Sequence, residues 1–324
     1  MKRVSVYDSV GEALLHDMTA IRDDFKGVVF PRGHVVRELD IPVLLDMGKA
    51  HVFVGELAAD QVHEDDAGFS GALALAGNGV EFSHAGEGRW TLEAELDGLL
   101  LMDSAVLRMF NEVPDYTAAT LPNYTRVRMG ERIAGVRIVP LVTALANAYA
   151  VEALAKEHGG ILNVYPFRPL RVGCVITGSE VFEGRVADRF EPVLREKVAG
   201  FGGEILGVRK CPDDAEAIAS AARAFLDLGA ELILFTGGMS VDPDDLTPTA
   251  IRRTGATVVA QGVPVQPGNM LMLAYLGDTA LVGVPGAAMH HEVTSLDIVL
   301  PRIFAGVRVT RDDLLSLGEG GLLL

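Results

Sequence analysis

Leu232-Ile233-Leu234-Phe235-Thr236-Gly237-Gly238-Met239-Ser240-Val241-Asp242-Pro243-Asp244-Asp245-Leu246-Thr247-Pro248 decides the fold of this chain. The apolar run at its start carries no polar alternation, which predicts a strand buried on both faces of a parallel sheet. Thr247 and Pro248 predict a helix start, with a hydroxyl at the cap and a proline in the first turn. Between strand and helix, a Gly-Gly loop offers backbone N–H groups to an anion. Three carboxylates in that loop would repel a phosphate unless a cation lay between them.

Outward from this segment, strands and helices alternate. Arg171–Thr177, Glu204–Arg209, Met270–Tyr275 and Ala280–Val284 read as further strands. Helices are expected over Val186–Phe201, from a cap at Asp213 to Leu228, and from near His290 to Gly306. The fold class is therefore α/β, with a three-layer, parallel-type sheet over 170–324 and helices on both faces. Residues 1–139 read as a β-rich α+β module of short strands between Gly and Asp turns. A helical linker over 140–169 joins the two, with Pro140 opening a helix that runs to His158.

Composition narrows the function. A net charge of −16 argues against nucleic acid as a partner, because nothing would offset phosphate repulsion over a wide surface. The longest uncharged apolar run, Ile138–Val151, contains Pro140 and is too short to span a bilayer, and the amino terminus lacks a secretion signal. No membrane partner and a cytoplasmic location are expected. Cys174 and Cys211 have no metal-ligand spacing and read as buried thiols.

Ligands of open parallel sheets bind beyond the carboxyl ends of the strands, and four such loops carry chemistry-capable residues. They are Thr177-Gly178-Ser179-Glu180, Cys211-Pro212-Asp213-Asp214, the Thr236–Asp245 segment, and Val284-Pro285-Gly286-Ala287. Elsewhere, His63-Glu64-Asp65-Asp66 and His84 read as solvated residues of polar turns. His290 and His291 are expected on the last helix, about 100° apart, so that they cannot share a metal.

Residues 170–306 resemble the molybdopterin-binding domain of molybdenum-cofactor biosynthesis proteins. The resemblance rests on the four loops together with Pro267-Gly268, in the family's order and approximate spacing. Phe30–Val54, with Gly33, Asp40 and Gly48-Lys49, is similar to the amino-terminal part of molybdopterin molybdenumtransferases. The resemblance implies molybdopterin, or its adenylate, as ligand, and molybdate insertion aided by a divalent ion such as Mg2+. It places Thr236, Gly237, Gly238 and Ser240 around the ligand's phosphate, with Thr177, Gly178, Ser179, Pro267, Gly268, Pro285 and Gly286 as further cofactor-binding residues. Glu180, Asp213 and Asp245 become the catalytic and metal-holding acids, and a homo-oligomer is implied.

This chain also departs from the family. The loop that usually carries a lysine on each side of Pro-Gly reads Gln266-Pro267-Gly268-Asn269 here. Val284-Pro285-Gly286-Ala287-Ala288 replaces a Leu-Pro-Gly-Asn-Pro turn, and Arg189-Phe190 replaces a Ser-Asn pair. The chain ends at Leu324, which leaves no room for the family's small carboxyl-terminal β domain. Two alternatives stay open on the same fold. The Thr-Gly-Gly loop with Asp244-Asp245-Leu246-Thr247 is also similar to the nucleotide-pyrophosphatase domain of competence/damage-inducible proteins, which implies metal-dependent hydrolysis of ADP-ribose. The other is a non-catalytic carrier or sensor of molybdopterin.

Overall fold

The computed structural model describes residues 1–22, 25–240, 242–243 and 245–323, in two compact units, Met1–Tyr165 and Pro166–Leu324. In the second unit the strands are β1 (Arg171–Thr177), β2 (Glu204–Cys211), β3 (Leu232–Thr236), β4 (Thr257–Gln261), β5 (Met272–Leu276) and β6 (Thr279–Gly283). Its main helices are α1 (Ser179–Phe182), α2 (Phe190–Ala199), α3 (Ala215–Asp227), α4 (Thr247–Arg253) and α5 (Ser295–Phe304). The sheet order is β2-β1-β3-β6-β5-β4. β2, β1, β3 and β6 run parallel, whereas β5 is antiparallel to both of its neighbours.

Period-2 alternation sorts each strand's side chains onto two faces. Val172, Cys174, Leu232, Leu234, Ala280 and Val282 join one core with α2 and α5. Val175, Ile233, Phe235 and Leu281 join the other with α3 and α4. Both faces are thus buried, as the uninterrupted apolar strands predict. Gly173 matters here: a Cβ added to it would lie 2.5 Å from Cγ of Phe225, so glycine lets α3 lie close on the sheet. Cys174 and Cys211 are buried and unpaired, and burial pushes the Cys174 thiol up to about 12.

The helix ends correct three expectations. Asp214, not Asp213, caps α3, accepting from the Ala217 N–H at 2.7 Å. α2 starts at Phe190, where Asp188 accepts from the Phe190 and Glu191 N–H groups. α5 starts at Ser295 behind a reciprocal Thr294–Asp297 capping box, so His290 and His291 precede the helix.

The first unit is β-rich, with more helix than its sequence advertises. A four-stranded antiparallel sheet is built from Val80–Gly86, Arg89–Ala94, Arg132–Ile138 and Tyr116–Thr120. The unforeseen helix Glu64–Leu75 packs on it and on a second helix, Leu145–His158. Pro140 does not open that second helix, because Val142–Ala144 first pairs with Gln61–His63 as a short antiparallel ladder. Lys2–Ser5 pairs with His51–Val54, and Met18–Arg22 pairs with Phe25–Phe30.

His63, Glu64 and Asp65 are not solvated turn residues. His63 is the helix cap and is buried, with Nδ1 accepting from the Asp65 N–H at 3.2 Å. Its Nε2 therefore carries the proton and donates to the Leu15 carbonyl at 2.7 Å. Asp65 accepts from the Gly88 N–H and pairs with His84. Among the described residues, no helix is long and apolar enough to cross a membrane.

Candidate functional site

The strand order reverses between β1 and β3, since the chain passes from β1 outward to β2 and returns on the other side. Such a reversal opens a crevice at the carboxyl ends of the strands. The loops after β1 and β3 meet there, so Thr177–Glu180 and Thr236–Ser240 lie side by side.

Hydroxyls hold the two loops together. Thr247 Oγ1 donates to the Gly237 carbonyl at 2.8 Å and lies 3.2 Å from Thr177 Oγ1. With the Thr247 proton directed to Gly237, Thr177 is the donor to Thr247. The relay from Thr177 to Thr247 to Gly237 spans β1, α4 and the Gly-Gly loop, and both threonines are buried. Thr247 therefore locks the loop rather than capping α4, whose first helical residue it is. Gly237 and Gly238 have φ of 82° and 53°, a region that favours glycine. A Cβ at Gly237 would sit 2.2 Å from the Thr177 carbonyl oxygen.

The backbone N–H groups of Gly238, Met239 and Ser240 donate to no group among the described residues. Three consecutive N–H groups with no acceptor among the described residues, beside a strand end, are the kind of donor set that can receive an anion. Thr236 Oγ1 is also buried and without a hydrogen-bond partner among the described residues. Met239 is buried beneath the loop, its side chain filling the space that the missing Cβ of Gly283 leaves.

The remaining loops join the same edge. The Ser179 N–H donates to Asp213 at 2.8 Å, and the Asp213 N–H donates to Ser179 Oγ at 3.2 Å. Asp213 thus laces the loop after β2 to the loop after β1. Pro267-Gly268 precedes β5, whose Met272 pairs with Gly283 at the carboxyl end of β6. Ser295 anchors it, donating from Oγ to the Gly268 carbonyl at 2.6 Å and from N–H to the Pro267 carbonyl at 3.2 Å. Pro285 is buried, and Gly286 is exposed with open space where a Cβ would stand.

The three acids do not converge. Asp245 turns back on its own loop, accepting from the Asp242 N–H at 3.2 Å. Glu180 is exposed in α1, and Asp213 is held by Ser179. Among the described residues, no three His, Cys, Asp or Glu side chains gather closely enough to hold a metal ion. The arrangement of Glu180, Asp213 and Asp245 does not fit a built Mg2+ site, contrary to the expected three-carboxylate cluster. Asp244 and Val241 lie outside the described residues.

Sequence comparison finds relatives for part of the chain. Residues 173–305 match the family described as "Probable molybdopterin binding domain". That segment is about two fifths of the chain. A molybdopterin molybdenumtransferase of Synechococcus elongatus is 28% identical over 181 residues, 53% of this chain and 42% of its own length. A CinA-like protein of Mycobacterium tuberculosis is 35% identical over 83 residues, 26% of this chain and 19% of its own. The chain thus spans less than half the length of these curated relatives. Residues 3–56 match a domain of unknown function. The molybdopterin biosynthesis enzyme MoaB of Thermus thermophilus is 27% identical with a TM-score of 0.35, covering 41% of this chain and 91% of that one. The segment matched by the family model, residues 173–305, lies within the carboxyl-terminal unit and contains both loops of the crevice.

Proposed function

We propose that this protein binds molybdopterin, or its adenylate, at the β1–β3 crevice and acts in molybdenum-cofactor assembly or delivery. The observation that carries the reading is the trio of N–H groups at Gly238–Ser240 that have no acceptor among the described residues, next to the Thr177–Thr247–Gly237 relay and inside the segment that the molybdopterin-binding family model matches. A phosphate placed there meets preorganised donors and needs no rearrangement of the loop. Gln266 and Asn269, where the family carries lysines, favour holding the ligand over inserting molybdate. The scattered acids favour the same carrier reading. The remaining parts of this proposal are the cytoplasmic location and self-association as a homo-oligomer.

The test is mass spectrometry of small molecules released by denaturing protein purified from a molybdopterin-producing host. A pterin phosphate at near-stoichiometric yield, lost in Gly238→Trp and retained in Asp245→Asn, is the expected result. A nucleotide in place of the pterin, with AMP released from ADP-ribose on adding Mg2+, would replace this reading with the pyrophosphatase one. The match to the CinA-like protein supports that second reading.

A further inference from the structure

The amino-terminal unit contains a cavity of about 510 Å³ that the pterin reading does not use. It opens at the amino end of helix Glu64–Leu75, against the turn at Glu87–Arg89 and the strand Arg132–Ile138. Its lining is dense in ionisable groups, and their engagement differs by sign. Asp17 accepts from the Arg32 N–H at 2.7 Å. Asp65 accepts from the Gly88 N–H at 2.9 Å and pairs with His84. Glu87 accepts from Thr19 and pairs with Arg89 at 3.3 Å. Each of these acids already has its partners.

The cations Lys49 and Arg137 make no side-chain hydrogen bond or ion pair among the described residues. Glu64 stands between these sets: it lines the cavity, is only 9% exposed, and its carboxyl has no hydrogen-bond partner among the described residues. His16 adds a buried ring nitrogen, Nδ1, with no partner there. A polar cavity of this size, with an unpartnered buried carboxyl and two uncommitted cations, is a site prepared for a ligand rather than a closed structural network.

We propose that this cavity is a second ligand site, taking a small molecule through an oxyanion, carboxylate or phosphate-type, that Lys49 and Arg137 hold and Glu64 in its acid form hydrogen-bonds. Glu64 suits that role because burial, then Asp65, pushes its carboxyl up to about 7. Arg137 opposes the shift, and Glu87 and Asp17 add to it. Lys49 and His16 complete the charged and titratable lining, and burial, then Lys49, lowers the pKa of the His16 imidazole. A protonated Glu64 donates to the anion, whereas an ionised Glu64 repels it. Binding therefore weakens as pH rises through neutrality.

The test is isothermal titration calorimetry of the full chain with acetate and with sulfate, whose charges stay constant between pH 6 and pH 8. Saturable binding of acetate assigns the carboxylate class, and of sulfate the tetrahedral class. Either should weaken at least about tenfold in the Lys49→Gln/Arg137→Gln double variant, the loss of one charge-assisted contact or more. Affinity should fall from pH 6 to pH 8 in the natural protein and stay level in Glu64→Gln, whose amide donates at both. That pH comparison keeps the test decisive even if the double variant fails to fold. Absence of saturable binding of both anions, binding undiminished in a folded double variant, or equal affinity at both pH values in the natural protein overturns the proposal.

Discussion

Thr247 shows how one hydroxyl serves the loop beside it. Thr247→Val keeps the shape but strands the buried Thr177 hydroxyl and the half-buried Gly237 carbonyl. Denaturant unfolding should show a loss of about 1–3 kcal/mol, with Thr247→Ser close to the natural protein. Glu64 makes a prediction of the opposite kind. Its carboxyl is raised from 4.5 to about 7 in the folded protein, so folding holds a proton that the unfolded chain releases. The stability from that proton is complete below pH 4.5 and is lost as pH rises through about 7. Glu64→Gln should match the natural protein near pH 4 and exceed its stability above pH 8 by on the order of 2–3 kcal/mol. Equal pH profiles for the two proteins would contradict the buried, unpartnered carboxyl. Neither role was visible in sequence: Thr247 read as a cap, and Glu64 as a solvated acid in a run of acids.

At the scale of elements, the helix Glu64–Leu75 is hidden from local sequence pattern. Gly68 and Gly71 weaken helix propensity, and its cap is a histidine, which is not among the preferred capping residues. Packing explains both glycines. A Cβ at Gly68 would lie 2.8 Å from the Gly88 carbonyl oxygen and from Cδ1 of Trp90, and one at Gly71 would lie 2.9 Å from the Tyr116 ring. Gly68→Ala should therefore destabilise the protein by about 1–3 kcal/mol in thermal or denaturant unfolding, although alanine is the better helix former. The strands of the second unit were easy to read by contrast. Their apolar runs need no partner to be recognised, whereas a helix defined by close approach needs its neighbours in place.

At the scale of the molecule, each unit has cores of its own. Residues 166–324 expressed alone should unfold in a single cooperative transition and keep whatever affinity the full chain has for the pterin. A non-cooperative melt, or loss of affinity with folding intact, would show that the amino-terminal unit contributes to the site.

Sequence alone determined the α/β character of the second unit and the place of its four loops after strands, because these depend on local apolar runs and on glycines at strand ends. It also gave the expectation of buried thiols that Cys174 and Cys211 meet. Tertiary structure alone decided what the polar side chains do. Asp213 went to Ser179 instead of a helix end, Asp245 to its own loop, and Glu64 into a cavity. The physical reason is that a carboxylate's or hydroxyl's role is set by which donors, acceptors and charges lie within a few ångströms. Those neighbours come from segments far apart in the chain, which local pattern does not encode.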